Sequence, residues 1–422
     1  MTTTPLTSEA FGAYRRTKRL VYVAALLMDL CFGVFLFVGP LAALRLTEKP
    51  GLQAVVGVIL LAARILFNAL FGRLSDWLGR KNLLLTASAL MLVSFIGLAT
   101  APNLTAVYAL AFLVGVANAL YWPVIEAWVG EEVNGTPLLR DIGSFNVAFS
   151  SGLVLAPLTS ALLQWSVTGP AGYVSLLRPI LLGLALAAVT FTFILLRPAL
   201  SHHQIAELRR ERPPLPQTSR SRRFLYAGWL ANFVAWCGVG VVRFLFPALV
   251  IGELGLTERT LGLLQAAFYV SWVAGFVTWR TWTGWPYRRW PLLVTQTIGA
   301  AGLTCIWLAR DAWTLAVGLG LFGFGMTGPY VASIFYGLDR YTDKGTKSGL
   351  HETVLAAGML LGLGGAAALA QWVSLTLPYL IIAGATLAVC GFQWVYLAEA
   401  GARVPSREGW APDAGARPDE DS

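Results

Sequence analysis

Residues 72–81 read Gly-Arg-Leu-Ser-Asp-Trp-Leu-Gly-Arg-Lys, and they lie between two long apolar runs. Gly79 permits a sharp turn, and Arg80 and Lys81 favour the cytoplasmic face of a membrane. Asp76 suits the positive end of a helix dipole, at the N-terminus of a neighbouring helix. The stretch therefore predicts a tight, positively charged turn between two membrane-spanning helices.

The composition of the whole chain agrees with a membrane protein. Of its 422 residues, 56% are hydrophobic and only 13% are charged, whereas soluble domains carry about 25% charged residues. Apolar runs long enough to cross a bilayer as helices recur twelve times along the chain. The predicted spans are 20–44, 52–71, 83–101, 104–129, 142–166, 173–196, 224–250, 261–279, 291–309, 312–336, 352–373 and 377–397.

The spans divide into two sets of six around one long polar linker, 197–223. We therefore predict an all-α membrane protein with twelve transmembrane helices in two pseudo-symmetric six-helix bundles, 20–196 and 224–397. Most of the 31 Lys and Arg residues fall in the two tails, the linker and alternate loops. The positive-inside rule then places both termini in the cytoplasm, with a tail at 1–19 and a disordered tail at 398–422.

The two halves also repeat weakly, as two parallel six-helix repeats would. Pro40 recurs as Pro247, and Pro123 recurs as Pro329, each pair about half a chain apart.

Several classes of function are excluded or disfavoured. The net charge of +9 is spread over short loops and does not form a basic face for nucleic acid. The four cysteines lie within apolar runs without metal-ligand spacing, so we expect small buried residues and no disulfide. With three histidines, no catalytic cluster and no Walker-type loop, we expect no enzyme, no metal and no cofactor. We expect a monomer in the lipid bilayer.

The opening stretch matches, without a gap, the pattern Gly-x-x-x-Asp-x-x-Gly-Arg-Lys/Arg that follows helix 2 in the major facilitator superfamily. The matching positions are Gly72, Asp76, Gly79, Arg80 and Lys81. Outside its tails the chain resembles this family of secondary transporters. The resemblance implies that Asp76 docks against the start of helix 11 and latches a cytoplasmic gate; the alternative is a simple topological anchor.

Other family patterns are incomplete in this chain. The corresponding stretch after helix 8, residues 280–289, keeps a basic end but has no acid, so we expect any latch to be asymmetric between the halves. Proton-coupled members often carry an arginine in helix 4, where this chain has Ala111. The Gly-Pro-rich stretch of drug–proton antiporters keeps only Gly152 and Pro157. These departures argue against a standard antiporter.

Charged residues at bilayer depth are costly and therefore mark candidate functional sites. Asp29 and Arg64 lie near the middle of helices 1 and 2, and we expect them to pair, either as a structural ion pair or as one that a proton or substrate breaks. Glu126 either lines a cavity or reaches toward the cytoplasm. Arg243 either attracts an anionic substrate or reaches outward.

The remaining candidates are polar and aromatic side chains on shared helix faces. The predicted substrate or ion site comprises Asp29, Arg64, Asn68, Asn118, Trp122, Glu126, Asn146, Asn232, Trp236, Arg243, Gln265, Tyr269, Tyr330 and Tyr336. His351 and Glu352 are predicted to open helix 11. Glu352 either suits the positive end of that helix dipole, or the pair meets the charged stretch when the gate closes. The predicted gate comprises Gly72, Asp76, Gly79, Arg80, Lys81, His351 and Glu352.

The sequence thus predicts a secondary active transporter of the inner or plasma membrane that works by alternating access. Its aromatic faces and Asp29 favour proton-coupled export of an amphipathic or aromatic small molecule. An importer or exchanger of a small organic anion bound by Arg64 and Arg243 is the alternative. A non-transporting sensor or membrane enzyme is a distant third.

Overall fold

The computed structural model describes residues 18–47, 50–131, 135–165, 177–198 and 216–398. The described residues are helical apart from short connections, and they contain no strand. The helices are α1 (Lys18–Thr47), α2 (Pro50–Leu78), α3 (Arg80–Ala99), α4 (Leu104–Val129), α5 (Gly135–Trp165), α6 (Leu177–Leu196), α7 (Ser219–Phe244), α8 (Glu258–Thr281), α9 (Arg289–Leu308), α10 (Ala312–Asp339), α11 (Lys344–Trp372) and α12 (Leu377–Ala398).

Eleven of these helices are long and apolar enough to cross a membrane, when the described residues alone are considered. The helix outside that set is α5, so its role as a twelfth span stays a prediction. The all-helical membrane fold is confirmed. The cytoplasmic placement of the termini also stays a prediction, since most of both tails lies outside the described residues.

The two sets of helices pack by the same pattern. In the first group, which comprises α1 to α6, α1 packs against α5 and α6, while α4 packs against α2 and α3. In the second group, which comprises α7 to α12, α7 packs against α11 and α12, while α10 packs against α8 and α9. The groups meet where α2 packs against α11 and α5 packs against α8. This repeat is what two related six-helix halves predict.

The charged stretch is more helical than its sequence suggested. Helix α2 continues to Leu78 and α3 begins at Arg80, so Gly79 alone forms the turn. Its φ of 82° lies in the left-handed region that favours glycine. We call the end of the molecule that carries Gly79 the motif end, and the other end the opposite end.

Two helices begin earlier than predicted at the motif end. Helix α5 starts at Gly135 rather than near 142, and α11 starts at Lys344 rather than at Glu352. The first two turns of each helix contain charged residues, Arg140 and Asp141 in α5 and Lys344 and Lys347 in α11, so the apolar-run criterion assigned them to loops. The prediction that His351 opens helix 11 is therefore wrong, since that residue lies two turns inside α11.

The bounds of the seventh predicted span were also inexact. Helix α7 begins at Ser219, where Thr218 forms a capping box, so the end of the predicted linker is helical. It ends at Phe244, near Pro247, and the next residues form a π-helical turn, Ala248–Glu253. Proline cannot donate a backbone hydrogen bond, which favours such a break.

Candidate functional site

A central cavity lies between the two groups of helices. It contains about 380 Å³ not filled by atoms, part of it open solvent. Eight helices contribute to its wall, four from each group. The lining residues are Asp29, Phe32, Arg64, Trp122, Phe149, Leu153, Trp236, Arg243, Trp272, Tyr330, Glu352 and Leu355.

Aromatic rings form a continuous wall across the boundary between the groups. Phe149 lies 5.6 Å from Trp122 and 5.8 Å from Tyr330, centroid to centroid. On the far side Trp236 lies 6.3 Å from Tyr330 and 5.9 Å from Trp272. Aromatic pairs favour these tilted or edge-on contacts. The wall therefore offers apolar, stackable surface to a bound solute.

Arg64 pairs with an acid from the other group. Its guanidinium donates a hydrogen bond to Glu352, and both side chains are buried. The prediction that Arg64 pairs with Asp29 is wrong. Helix α2 packs closely against α11, so the acid that faces Arg64 belongs to α11. Glu352, predicted at a gate, instead lines the cavity.

Two other charged side chains at the cavity form no ion pair with any described residue. Asp29 is only 5% exposed, and its Oδ2 receives no hydrogen bond. Arg243 is half-buried, and its Nε donates none. Aromatic rings surround the Arg243 Cζ, with centroids at 5.7 Å for Trp236 and 6.0 Å for both Tyr269 and Trp272. Arg243 thus faces the cavity rather than reaching outward.

Glu126 joins a buried polar cluster beside the cavity. It accepts a hydrogen bond of 3.4 Å from the Tyr330 hydroxyl, and its Oε1 lies 3.8 Å from Nε2 of His351. Nδ1 of His351 lies 2.6 Å from the Ser333 hydroxyl. Glu126 is fully buried, so it does not reach toward solvent.

The same cluster could offer ligands to a metal ion. Glu126, His351 and Glu352 place three ligand atoms within 4.8 Å of one another. The Arg64 guanidinium already occupies Glu352 and would repel a cation. A metal ion would therefore have to displace this ion pair.

At the motif end Asp76 contacts the start of α11. Its carboxylate accepts hydrogen bonds of 3.0 Å from the backbone N–H groups of Gly345 and Thr346, and one of 3.2 Å from the Thr346 hydroxyl. The contact that the resemblance implied is thus present. Arg80 contacts Glu131 at 2.9 Å. The hydrogen bonds of Asp76 stabilise the first turn of α11 against α2.

The second half of the molecule makes an equivalent contact with a different acid. Asp339, at the end of α10, accepts hydrogen bonds of 2.8 Å from the Gly135 N–H, at the start of α5, and from the Tyr287 hydroxyl. Tyr287 belongs to the stretch after α8. The two contacts are asymmetric, as expected: Asp76 lies in the stretch after α2, whereas Asp339 comes from α10 and not from the stretch after α8.

Six of the predicted substrate residues line the cavity: Asp29, Arg64, Trp122, Trp236, Arg243 and Tyr330. Three more, Glu126, Tyr269 and Asn118, contact these residues. The others lie elsewhere: Asn68, Asn146, Asn232, Gln265 and Tyr336. Asn118 accepts from the Trp122 indole N–H, Asn232 donates to Ser333, and the Tyr336 hydroxyl accepts from the backbone of Tyr287.

Sequence reasoning missed the apolar lining residues Phe32, Phe149, Leu153 and Leu355. Helical spacing could have found two of them. Phe32 lies three residues after Asp29, and Leu355 lies three residues after Glu352, so each shares a face with a charged residue.

Comparison with known proteins identifies related sequences. The family model of the Major Facilitator Superfamily matches residues 21–285. Inner membrane transport protein YdiN of Escherichia coli (strain K12) is 31% identical over 113 residues, which cover 26% of this chain and 27% of that protein. The match thus spans about a quarter of this curated relative.

Solved structures share the fold over most of the chain. The human organic anion transporter MFSD10 (TETRAN) matches with a TM-score of 0.73 and 19% identity, over 90% of this chain and 99% of that one. The proton:xylose symporter XylE, bound to 6-bromo-6-deoxy-D-glucose, matches with a TM-score of 0.71 and 13% identity, over 92% and 96%. At these identities the likeness concerns the fold alone.

Proposed function

The chain belongs to the Major Facilitator Superfamily, and we propose on this basis that it moves a small organic molecule across the bilayer by alternating access around the central cavity. It is a multi-pass inner-membrane transporter rather than an enzyme. The observation that carries the proposal is the position of the cavity. Both groups of helices supply its lining, so a relative motion of the groups changes the access to it.

The solute that best suits the cavity is aromatic or amphipathic. The ring wall supplies stacking surface, and the charged residues supply orientation. Because the rings crowd the cavity, a solute enters only when the groups move apart. The contacts at Asp76 and Asp339 break when the motif end opens, so they act as latches of the closed state. For an amphipathic solute, we propose export as the direction of transport.

Filling the cavity tests this assignment. We expect Leu355→Trp to reduce transport at least tenfold, because Leu355 is 2% exposed and lines the cavity. Leu361→Trp is the matched control, since Leu361 lies on the same helix and is 60% exposed. The measurement is exchange of radiolabelled phenylalanine, 3-phenylpropionate and phenethylamine by proteoliposomes. Equal exchange rates for the two variants would exclude the cavity as the solute pathway.

We place the coupling proton in the cluster around Glu126. Arg64 supplies one positive charge to two carboxylates, Glu126 and Glu352, whose oxygens lie within 4.8 Å. Two close carboxylates in a buried site are not both ionised at low cost. Tyr330 and His351 also face this pair. A proton shared within the cluster would balance the charge and could leave when the groups separate.

Glu126→Gln tests proton coupling, because an amide cannot take up the proton. We expect the variant to keep solute exchange but to lose the acceleration that an imposed pH gradient gives. Exchange and gradient-driven flux are measured in the same proteoliposomes with the best transported of the three probes. Glu253→Gln is the control, since Glu253 is exposed near the opposite end. Unchanged gradient-driven flux in Glu126→Gln would rule out this site.

A second candidate is exchange or import of an organic anion, and Arg243 favours it. Arg64 is occupied by Glu352, so Arg243 is the lining cation that remains for a carboxylate. The surrounding rings lower its hydration and strengthen such a contact.

A further inference from the structure

Four charged side chains line the central cavity, and two of them neutralise each other. Arg64 pairs with Glu352, which leaves Asp29 and Arg243. Asp29 is only 5% exposed, and no described residue donates a hydrogen bond to its Oδ2. A buried charge without a partner is costly and marks a functional site.

Asp29 and Arg243 belong to corresponding helices of the two groups. Asp29 lies on α1 and Arg243 on α7, and each contributes to the wall of the same cavity. Within the described chain no ion pair joins them, although ion pairs out to 3.8 Å are found elsewhere. The negative and the positive charge therefore face the cavity with a gap between them.

The gap restricts the charge of the solute. A simple anion would satisfy Arg243 but would be repelled by Asp29. A simple cation would meet the opposite problem, and a neutral solute would leave both charges unpaired. A solute that carries one charge of each sign satisfies both side chains at once.

We propose that the transported solute is a small aromatic zwitterion whose ammonium binds Asp29 and whose carboxylate binds Arg243. This inference rests on the proposed function of the cavity. The guanidinium of Arg243 matches the two oxygens of a carboxylate. The rings of Trp236 and Trp272 lie beside Arg243, and Tyr330 adjoins Trp236, so these rings would stack on the apolar body of the solute.

Three probes of similar size separate charge from shape: phenylalanine, 3-phenylpropionate and phenethylamine. They share a phenyl ring but carry both charges, the carboxylate alone or the ammonium alone. Binding to the purified full chain in nanodiscs is followed by tryptophan fluorescence. We expect phenylalanine to bind at least tenfold more tightly than either of the other probes, because each charge adds a charge-assisted hydrogen bond.

Two variants assign the charges to their residues. Asp29→Asn should remove the advantage of phenylalanine over 3-phenylpropionate, and Arg243→Gln should remove its advantage over phenethylamine. Asp29→Glu and Arg243→Lys keep the charges and should partly restore the preference. Size-exclusion chromatography shows whether each variant is folded. If Asp29→Asn or Arg243→Gln does not fold, the binding of the same three probes is measured with Asp29→Glu or Arg243→Lys, respectively, at two pH values.

The outcomes separate this inference from the proposed function. Binding of 3-phenylpropionate as tight as that of phenylalanine, abolished by Leu355→Trp, would overturn the zwitterion and retain the cavity as the solute site. Failure of all three probes to bind would also overturn the zwitterion inference. Phenylalanine binding that Leu355→Trp leaves unchanged would overturn both the zwitterion and the cavity.

Discussion

Arg64→Gln is expected to destabilise the protein by about 3–5 kcal/mol, the usual cost of removing one member of a buried ion pair. Glu352 is 2% exposed and would lose the guanidinium that now pairs with it. The measurement is thermal unfolding of the purified protein in detergent. Arg73→Gln is the control, because Arg73 lies on the same helix and is exposed.

A second substitution should rescue much of this loss. In the double variant Arg64→Gln/Glu352→Gln two amides face each other, and neither carries an unpaired charge. Removing both charges from a buried pair is often close to neutral. The double variant should therefore be more stable than Arg64→Gln alone, with a coupling of about 1–3 kcal/mol. Additive losses would contradict the assignment of this pair.

The fold could be predicted because its signals are local. Apolar runs of span length and the distribution of Lys and Arg depend on the sequence alone. The Arg64 partner could not be predicted in this way. The prediction assumed that consecutive helices face each other at equal depth, whereas α2 packs against α11 and brings together residues 288 positions apart.

The cavity was predicted only where its residues carry a charge or an unusual polar pattern. Asp29 and Arg243 stand out because charges are rare in apolar helices. Phe149 does not stand out, because an aromatic residue that lines a cavity looks the same in sequence as one in the core. Asn118 was predicted to bind substrate because a polar residue is rare in an apolar helix. Its side-chain oxygen instead accepts a hydrogen bond from Trp122 on the same helix.

The close crossing of α2 and α11 leads to the last prediction. An ideal Cβ on Gly349 would lie 2.6 Å from the backbone oxygen of Asn68 and 3.0 Å from Cα of Ala69. Both atoms belong to the backbone of α2, so no side-chain rotation can relieve the contact. Gly349→Ala should therefore separate the helices and weaken the contact of Asp76 with the start of α11.

We expect Gly349→Ala to shift the protein toward a state with an open motif end and to reduce transport at least tenfold. Spin labels at Trp77 and Trp290, which are exposed at the motif end of opposite groups, should give longer distances by electron paramagnetic resonance. Gly364→Ala is the matched control on α11, since no atom lies within 4 Å of its added Cβ. Alanine there should be neutral or slightly stabilising. Identical distance distributions for the two variants would show that the crossing does not hold the motif end closed, because the added methyl group is the same and only its neighbours differ.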